Sequence, residues 1–199
     1  MKIFSKTLIP LFLVAVLLAS CNGFILTPSP LPPATETSIP ISERIVYYYF
    51  VVIAENTPPE GSVVIMPNEL ILAPTLSDIT YNPDTATNLR TALEAVLNDE
   101  RNSWISSNLE ITNVAFSEGH ADIVLQGEYF GVAPVILTAA RMQILMTLFA
   151  NAFVQTVTVT LNGDTIANID VSREGKPTDY VYTRTEIETF IAEHAYVTP

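Results

Sequence analysis

Leu109-Glu110-Ile111-Thr112-Asn113-Val114-Ala115-Phe116-Ser117-Glu118-Gly119-His120-Ala121-Asp122-Ile123-Val124-Leu125-Gln126 is the stretch whose pattern points to the fold. Residues 109–116 and 120–126 are β-like runs, and Ser117-Glu118-Gly119 between them is a short Gly-containing loop, so the spacing predicts a β-hairpin. In the second run Ala121, Ile123 and Leu125 fall on one side of the strand, the side a core would take, while His120 and Asp122 share the other.

On the N-terminal side of this hairpin, Asn82-Pro83 offers a capping side chain ahead of a proline at the first helical position. Leu89, Ala92, Leu93, Val96 and Leu97 then recur at i, i+3, i+4, i+7 and i+8, predicting a helix over 84–98. On its C-terminal side, Pro134 opens a second helix to about Ala152, rich in Leu137, Ile144, Leu145, Leu148 and Phe149. Arg141, Gln143 and Asn151 interrupt that run, which argues for a buried amphipathic helix and against a membrane span. Val157, Val159 and Leu161 next alternate with Thr156, Thr158 and Thr160, and Asn162-Gly163 predicts a tight hairpin returning into residues 165–171. Thr183 and Glu186 have capping-box spacing before Ile187, Phe190 and Ile191, predicting a short C-terminal helix.

Upstream, residues 44–53 are apolar or aromatic on both faces, the pattern of a central strand, and Val63-Val64-Ile65-Met66 and Leu70-Ile71-Leu72 are shorter β-like runs. The order predicts an α+β domain: a two-layer mixed β-sheet with helices packed on one face. The threonine alternation predicts that the other face stays open, which makes Thr156, Thr158 and Thr160 candidate contacts for a partner. Tyr47, Tyr48 and Tyr49 suit a sheet core better than a binding surface. Trp104, set among Asn102, Ser103, Ser106 and Ser107, is a candidate exposed contact, weighed against a tryptophan that closes the edge of the core.

The N-terminus carries a different message. Lys2 and Lys6 precede an apolar run over Leu8–Leu18, and Leu18-Ala19-Ser20-Cys21 ends it with small residues and a thiol, the pattern of a bacterial lipoprotein signal. The run falls short of the roughly 20 residues that span a bilayer and contains Pro10, so cleavage and acylation at Cys21 is the expectation. More than one acyl chain at Cys21 meets the condition for stable anchoring. Beyond it, Pro28, Pro30, Pro32, Pro33 and Pro40 predict an extended tether, at about 3.1 Å per residue in polyproline II. The expected layout is a signal over 1–20, a lipidated cysteine and Pro-rich tether over 21–43, a domain over 44–171 and a C-terminal extension with a short helix over 172–199.

Composition narrows the partners. The 199-residue chain has a net charge of −12, which becomes −14 when Lys2 and Lys6 leave with the signal, disfavouring nucleic acid and anionic headgroups. Its single cysteine excludes an intrachain disulfide and a cysteine-based zinc site.

Residues 44–171 resemble a GerMN domain, the module of GerM-type sporulation and spore-germination proteins and of many bacterial lipoproteins. The likeness lies in the strand Leu109–Phe116, the turn Glu118-Gly119-His120-Ala121, the pair Thr147-Leu148 late in the second helix, and Val154–Gly163 with its closing Asn-Gly turn. The chain departs from the family at Ile123-Val124-Leu125, where Val124 stands in place of a common acidic residue and Asp122 comes two residues earlier. The resemblance implies a lipid-anchored module on the extracytoplasmic face of the cell membrane, acting in envelope assembly through protein contacts, with no catalytic centre to carry over.

Residue chemistry agrees with a non-enzyme that needs no metal or cofactor. His120 has Glu118 and Asp122 for neighbours but no second histidine close in sequence, too few ligands for zinc, and His194 suits the C-terminus of a short helix. Asp99-Glu100 and the series Glu186, Glu188, Glu193 fit solvated helix surface better than the paired acids of a glycosidase. Ser103, Ser106 and Ser107 lack a Gly-x-Ser-x-Gly setting, and the seven glycines occur singly, without a phosphate loop. The expectation is an interaction module for an envelope protein; the alternative is a ligand-binding or enzymatic lipoprotein acting on peptidoglycan or another envelope glycan.

Overall fold

In a computed structural model of the chain, the described residues are 44–51, 58–66, 70–102, 104, 107–129, 134–169 and 175–196. The expected signal, Cys21 and the expected tether lie outside them. The described strands divide between two sheets. Strands β1 (Arg44–Val51), β2 (Val63–Met66) and β3 (Leu70–Thr80) form an antiparallel sheet in the order β1-β3-β2. The second sheet is mixed: β4 (Ser107–Ser117) pairs antiparallel with β5 (His120–Tyr129), which runs parallel to β6 (Thr156–Leu161). Two short strands, β7 (Asp164–Thr165) and β8 (Val181–Thr183), complete it by pairing with opposite ends of β6. With helices α1 (Thr85–Asn98), α2 (Pro134–Phe149) and α3 (Arg184–Glu193), the fold is α+β.

Local chemistry accounts for the elements. The β4–β5 turn is two residues, Glu118 at φ 52° and Gly119 at φ 82°, the left-handed pair whose twist suits a tight hairpin. Helix α1 starts later than the sequence suggests because Asp84 is its cap: the carboxylate accepts from Ala86 N and Thr87 N, while Asn82 Oδ1 accepts from Asp84 N at 2.9 Å. Buried Asn88 secures that entry by accepting from Asn82 N at 2.7 Å and donating to Asn82 O at 2.8 Å. At α3, Thr183 Oγ1 accepts from Glu186 N at 3.2 Å as the capping spacing predicts. The hairpin expected after Asn162-Gly163 shortens to β7, because residues 166–168 turn into a 3-10 helix capped by Thr165.

Helix α2 is the centre of the structure. Every residue from Met142 to Phe149 is buried, as expected of a helix whose apolar residues surround it instead of forming one stripe. One core cluster joins its Ile144, Leu145 and Leu148 to Leu72 of the first sheet and to Ile123, Val157 and Val159 of the second. Two buried polar residues a helical turn apart, Gln143 and Thr147, meet β1. Tyr48 N donates to Thr147 Oγ1 at 3.1 Å and Gln143 Nε2 donates to Tyr48 O at 2.9 Å. Strand β1 is therefore an edge strand and not the central one expected: α2 takes the hydrogen-bonding side that another strand would have filled. Replacing Thr147 with the near-isosteric valine leaves the Tyr48 N–H facing a methyl group. The expected cost is about 1–3 kcal/mol, read as a lower urea midpoint with an unchanged slope.

The C-terminal segment belongs to the fold. Tyr182 pairs with Val157 and lies in the core with Ile187, while Val64 N donates to His194 O at 2.8 Å and Tyr196 N to Ser62 O at 2.9 Å. Arg184 fastens this segment to the end of α2 by donating to Asn151 O at 2.6 Å and, through Nε, to Val154 O at 2.8 Å. Strand β8 and helix α3 thus pack on the same core as the elements before residue 171.

Candidate functional site

The alternation of β6 sets the geometry of the second sheet. Val157, Val159 and Leu161 turn to the core, and Thr156, Thr158 and Thr160 turn to the opposite face, where they remain half-buried. The parallel register places His120 beside Thr156, Asp122 beside Thr158 and Val124 beside Thr160. Exposed Ser117 and Ala115 continue this face across β4, and exposed Thr183 and Val181 across β8. The three candidate threonines therefore share one polar face, as the sequence predicts.

His120 organises part of that face. Its Nδ1 lies 2.9 Å from Thr156 Oγ1 and its Nε2 3.4 Å from Thr158 Oγ1, so the imidazole bridges two hydroxyls. This is a reason for a histidine at the hairpin that requires neither metal nor catalysis. Among the described residues, no three histidine, cysteine or acidic side chains gather as a metal site.

Trp104 does not belong to the face. It is 2% exposed and packs edge-on against Tyr129 with ring centroids 6.1 Å apart, so it closes the core and is not an exposed contact in the fold. The polar residues around it suggest a solvated loop. Trp104 nevertheless turns inward, and Asn102 Oδ1 accepts from its backbone N–H at 2.7 Å to shape the bend. Ser103 and Ser106 lie outside the described residues.

The acidic pairs also have structural work. Arg101 Nε donates to Asp99 Oδ1 at 2.8 Å, and Tyr47 Oη donates to Asp99 Oδ2 at 3.1 Å, joining β1 to the end of α1. The Arg101 hydrogen bond, stronger than the opposing effect of burial, holds the Asp99 carboxyl below the ordinary 3.8. Burial, then the bond to Asp99, raises the Tyr47 phenol. The sign for Asp99 follows from its depressed folded-state value. Its stabilisation is present above the unfolded value and disappears as pH falls through the folded one. Asp99→Asn is expected to lower the melting temperature at neutral pH, with the gap from the parent closing in strong acid. An equal gap at every pH would contradict this assignment.

Sequence reasoning missed a concave site. A groove of about 340 Å³ runs between α2 and α3, with Met142 and Ile187 in its floor and Arg141, Lys176, Tyr180 and Glu186 along its walls. Tyr180 Oη donates to Glu186 Oε1 at 3.1 Å, and Lys176 Nζ lies 4.9 Å from the centre of the Tyr180 ring. The groove's residues come from three separate parts of the chain.

No helix among the described residues is long and apolar enough to cross a membrane. Comparisons with protein-family models, with curated proteins and with solved structures give no match. The GerMN likeness rests on the short motifs of the sequence.

Proposed function

We propose that this chain is a lipid-anchored, non-catalytic interaction module on the extracytoplasmic face of a bacterial cell membrane, held through Cys21 and presenting the threonine face of its mixed sheet to another envelope protein. The single observation that carries the reading is the sequence Leu18-Ala19-Ser20-Cys21 after a short apolar run with two lysines at its start. The Pro-rich stretch that follows suits a spacer holding a domain away from the headgroups. The half-buried threonine face supports contact with a protein: its hydroxyls and exposed Val181 offer hydrogen bonds and some apolar area.

A photo-crosslinking side chain in place of Val181 tests the contact in intact cells. One adduct of defined mass is expected, lost when Thr158→Lys is added and absent when the crosslinker replaces exposed Thr189 on α3. Equal adducts from both positions, or none from Val181, would overturn the assignment of the face.

A further inference from the structure

We propose that the free half of strand β4, residues 113–117, pairs antiparallel with the same strand of a second copy of this chain, about a two-fold axis at Ala115. This goes beyond the anchoring and the threonine contact and depends on neither. A strand edge presents a row of unpaired N–H and C=O groups, and elsewhere this fold covers its longer edges. Beside β1, Thr147 and Gln143 bond the backbone of Tyr48. Along β2, Val64 N donates to His194 O at 2.8 Å and Tyr196 N to Ser62 O at 2.9 Å. The outer side of β6 is taken by β7 and β8. Strand β4, Ser107–Ser117, pairs among the described residues with β5 alone.

The hairpin decides which backbone groups of β4 face outward. Its two-residue turn makes Ser117 and His120 the closing hydrogen-bonded pair, opposite each other in the register. Alternation then turns the N–H and C=O of Ala115 and Asn113 toward β5, and those of Val114 and Phe116 away from it. The first half of the edge is guarded. Arg90 Nη1 donates to Ile111 O at 3.0 Å, and a bulge breaks the register between Ile111 and Asn113. Residues 113–117, Asn-Val-Ala-Phe-Ser, contain no proline and no charge in a chain that carries −12, so they lack the devices that keep an edge single.

Self-complementarity selects a second copy as the occupant. With Ala115 opposite the partner's Ala115, Val114 falls opposite the partner's Phe116 and Asn113 opposite the partner's Ser117. Every outward backbone group of the segment then finds a mate, because Val114 and the partner's Phe116 exchange both bonds, as do Phe116 and the partner's Val114. Neighbouring registers do worse. An axis at Phe116 sets Val114 against the partner's Glu118 in the turn, and an axis at Val114 sets Phe116 against the partner's Thr112 at the bulge. Side chains agree with the central register: half-buried Val114 and Phe116 make β-branched–aromatic pairs across the axis, and within the segment no charge meets a like charge. A two-fold contact of this kind closes on itself. Ala115 and Ser117 lie on the threonine face, so the pairing joins the faces of both copies into one.

Disulfide trapping of the full chain in cells tests the register, with the parent chain under the same mild oxidation as the blank for Cys21. Ala115→Cys is expected to give a reducible dimer of doubled mass, because directly opposite residues of a closely spaced pair have Cα atoms about 4.5 Å apart. Asn113→Cys is expected to give no dimer beyond the parent's, since the two copies of that position lie four residues apart along the strands, roughly 13 Å. Asn113→Cys in one tagged copy and Ser117→Cys in another should link to each other. All three positions are exposed, so the variants are expected to keep the parent unfolding midpoint, which is measured alongside. No dimer from Ala115→Cys beyond the parent's, an equal dimer from Asn113→Cys, or linkage at Ala115 without linkage between positions 113 and 117 would overturn the proposal. A reducible adduct of another mass in place of the doubled one would give the edge to a different protein and overturn it as well.

Discussion

Gly127→Ala is expected to unfold the domain or to lower its stability by about 3 kcal/mol or more. A methyl group built at this position would lie 1.9 Å from Asn108 O and 3.0 Å from Leu109 Cα, both backbone atoms of the paired strand β4. The φ of 135° is in addition a region that side chains rarely adopt. Neither partner can move alone, because Gly127 is bracketed from its other side: its N–H donates to Asn162 Oδ1 at 3.0 Å and its carbonyl accepts from Asn162 Nδ2 at 2.8 Å. Relief would require β4 to separate from β5 and would disturb the turn after β6. Gly163→Ala is the matching control. Its φ is 84° but open space surrounds it, so only the backbone term applies, about 1 kcal/mol. Urea unfolding of the two variants separates collision from strain, and equal losses would contradict the packing described for β4 and β5.

Cys21→Ser is expected to abolish lipid attachment, the largest effect on function that any single substitution should have. In the proposed anchoring the acyl-bearing group is joined to a thiol, which serine lacks, and no second cysteine can take its place. Incorporation of an alkyne-tagged fatty acid should fall from clear labelling of the parent to none, and the variant should keep its signal and migrate as the longer chain. Two or more acyl chains make anchoring stable where one makes it marginal. Labelling that persisted in the variant would place the lipid elsewhere or remove it from the account.

The local parts of the fold were legible, and the non-local ones were not. The β4–β5 hairpin, α1 and the Thr183 cap follow from alternation, helical spacing and a capping residue a few positions away, all visible within one window of sequence. Strand β1 misled because apolar residues on both faces are equally the mark of a central strand and of an edge strand flanked by a helix; only Gln143 and Thr147, far along the chain, distinguish the two. Trp104 misled through its polar neighbours, since a loop can keep serine and asparagine in water while turning one large ring into the core. The threonine face was legible from period-two alternation, but the bridge from His120 to Thr156 and Thr158 required the parallel register of β5 and β6. The groove left no local trace, because Arg141, Lys176 and Glu186 meet only when the C-terminal segment packs against α2.

The claim on which the functional account turns is that the mature protein begins at a lipidated cysteine. Mass spectrometry of the N-terminal peptide, from protein purified out of the membrane fraction, measures this directly. The account predicts a peptide starting at Cys21 and carrying a diacylglyceryl group on its sulfur. A peptide starting upstream of Cys21, or a Cys21 with a free thiol, would contradict it.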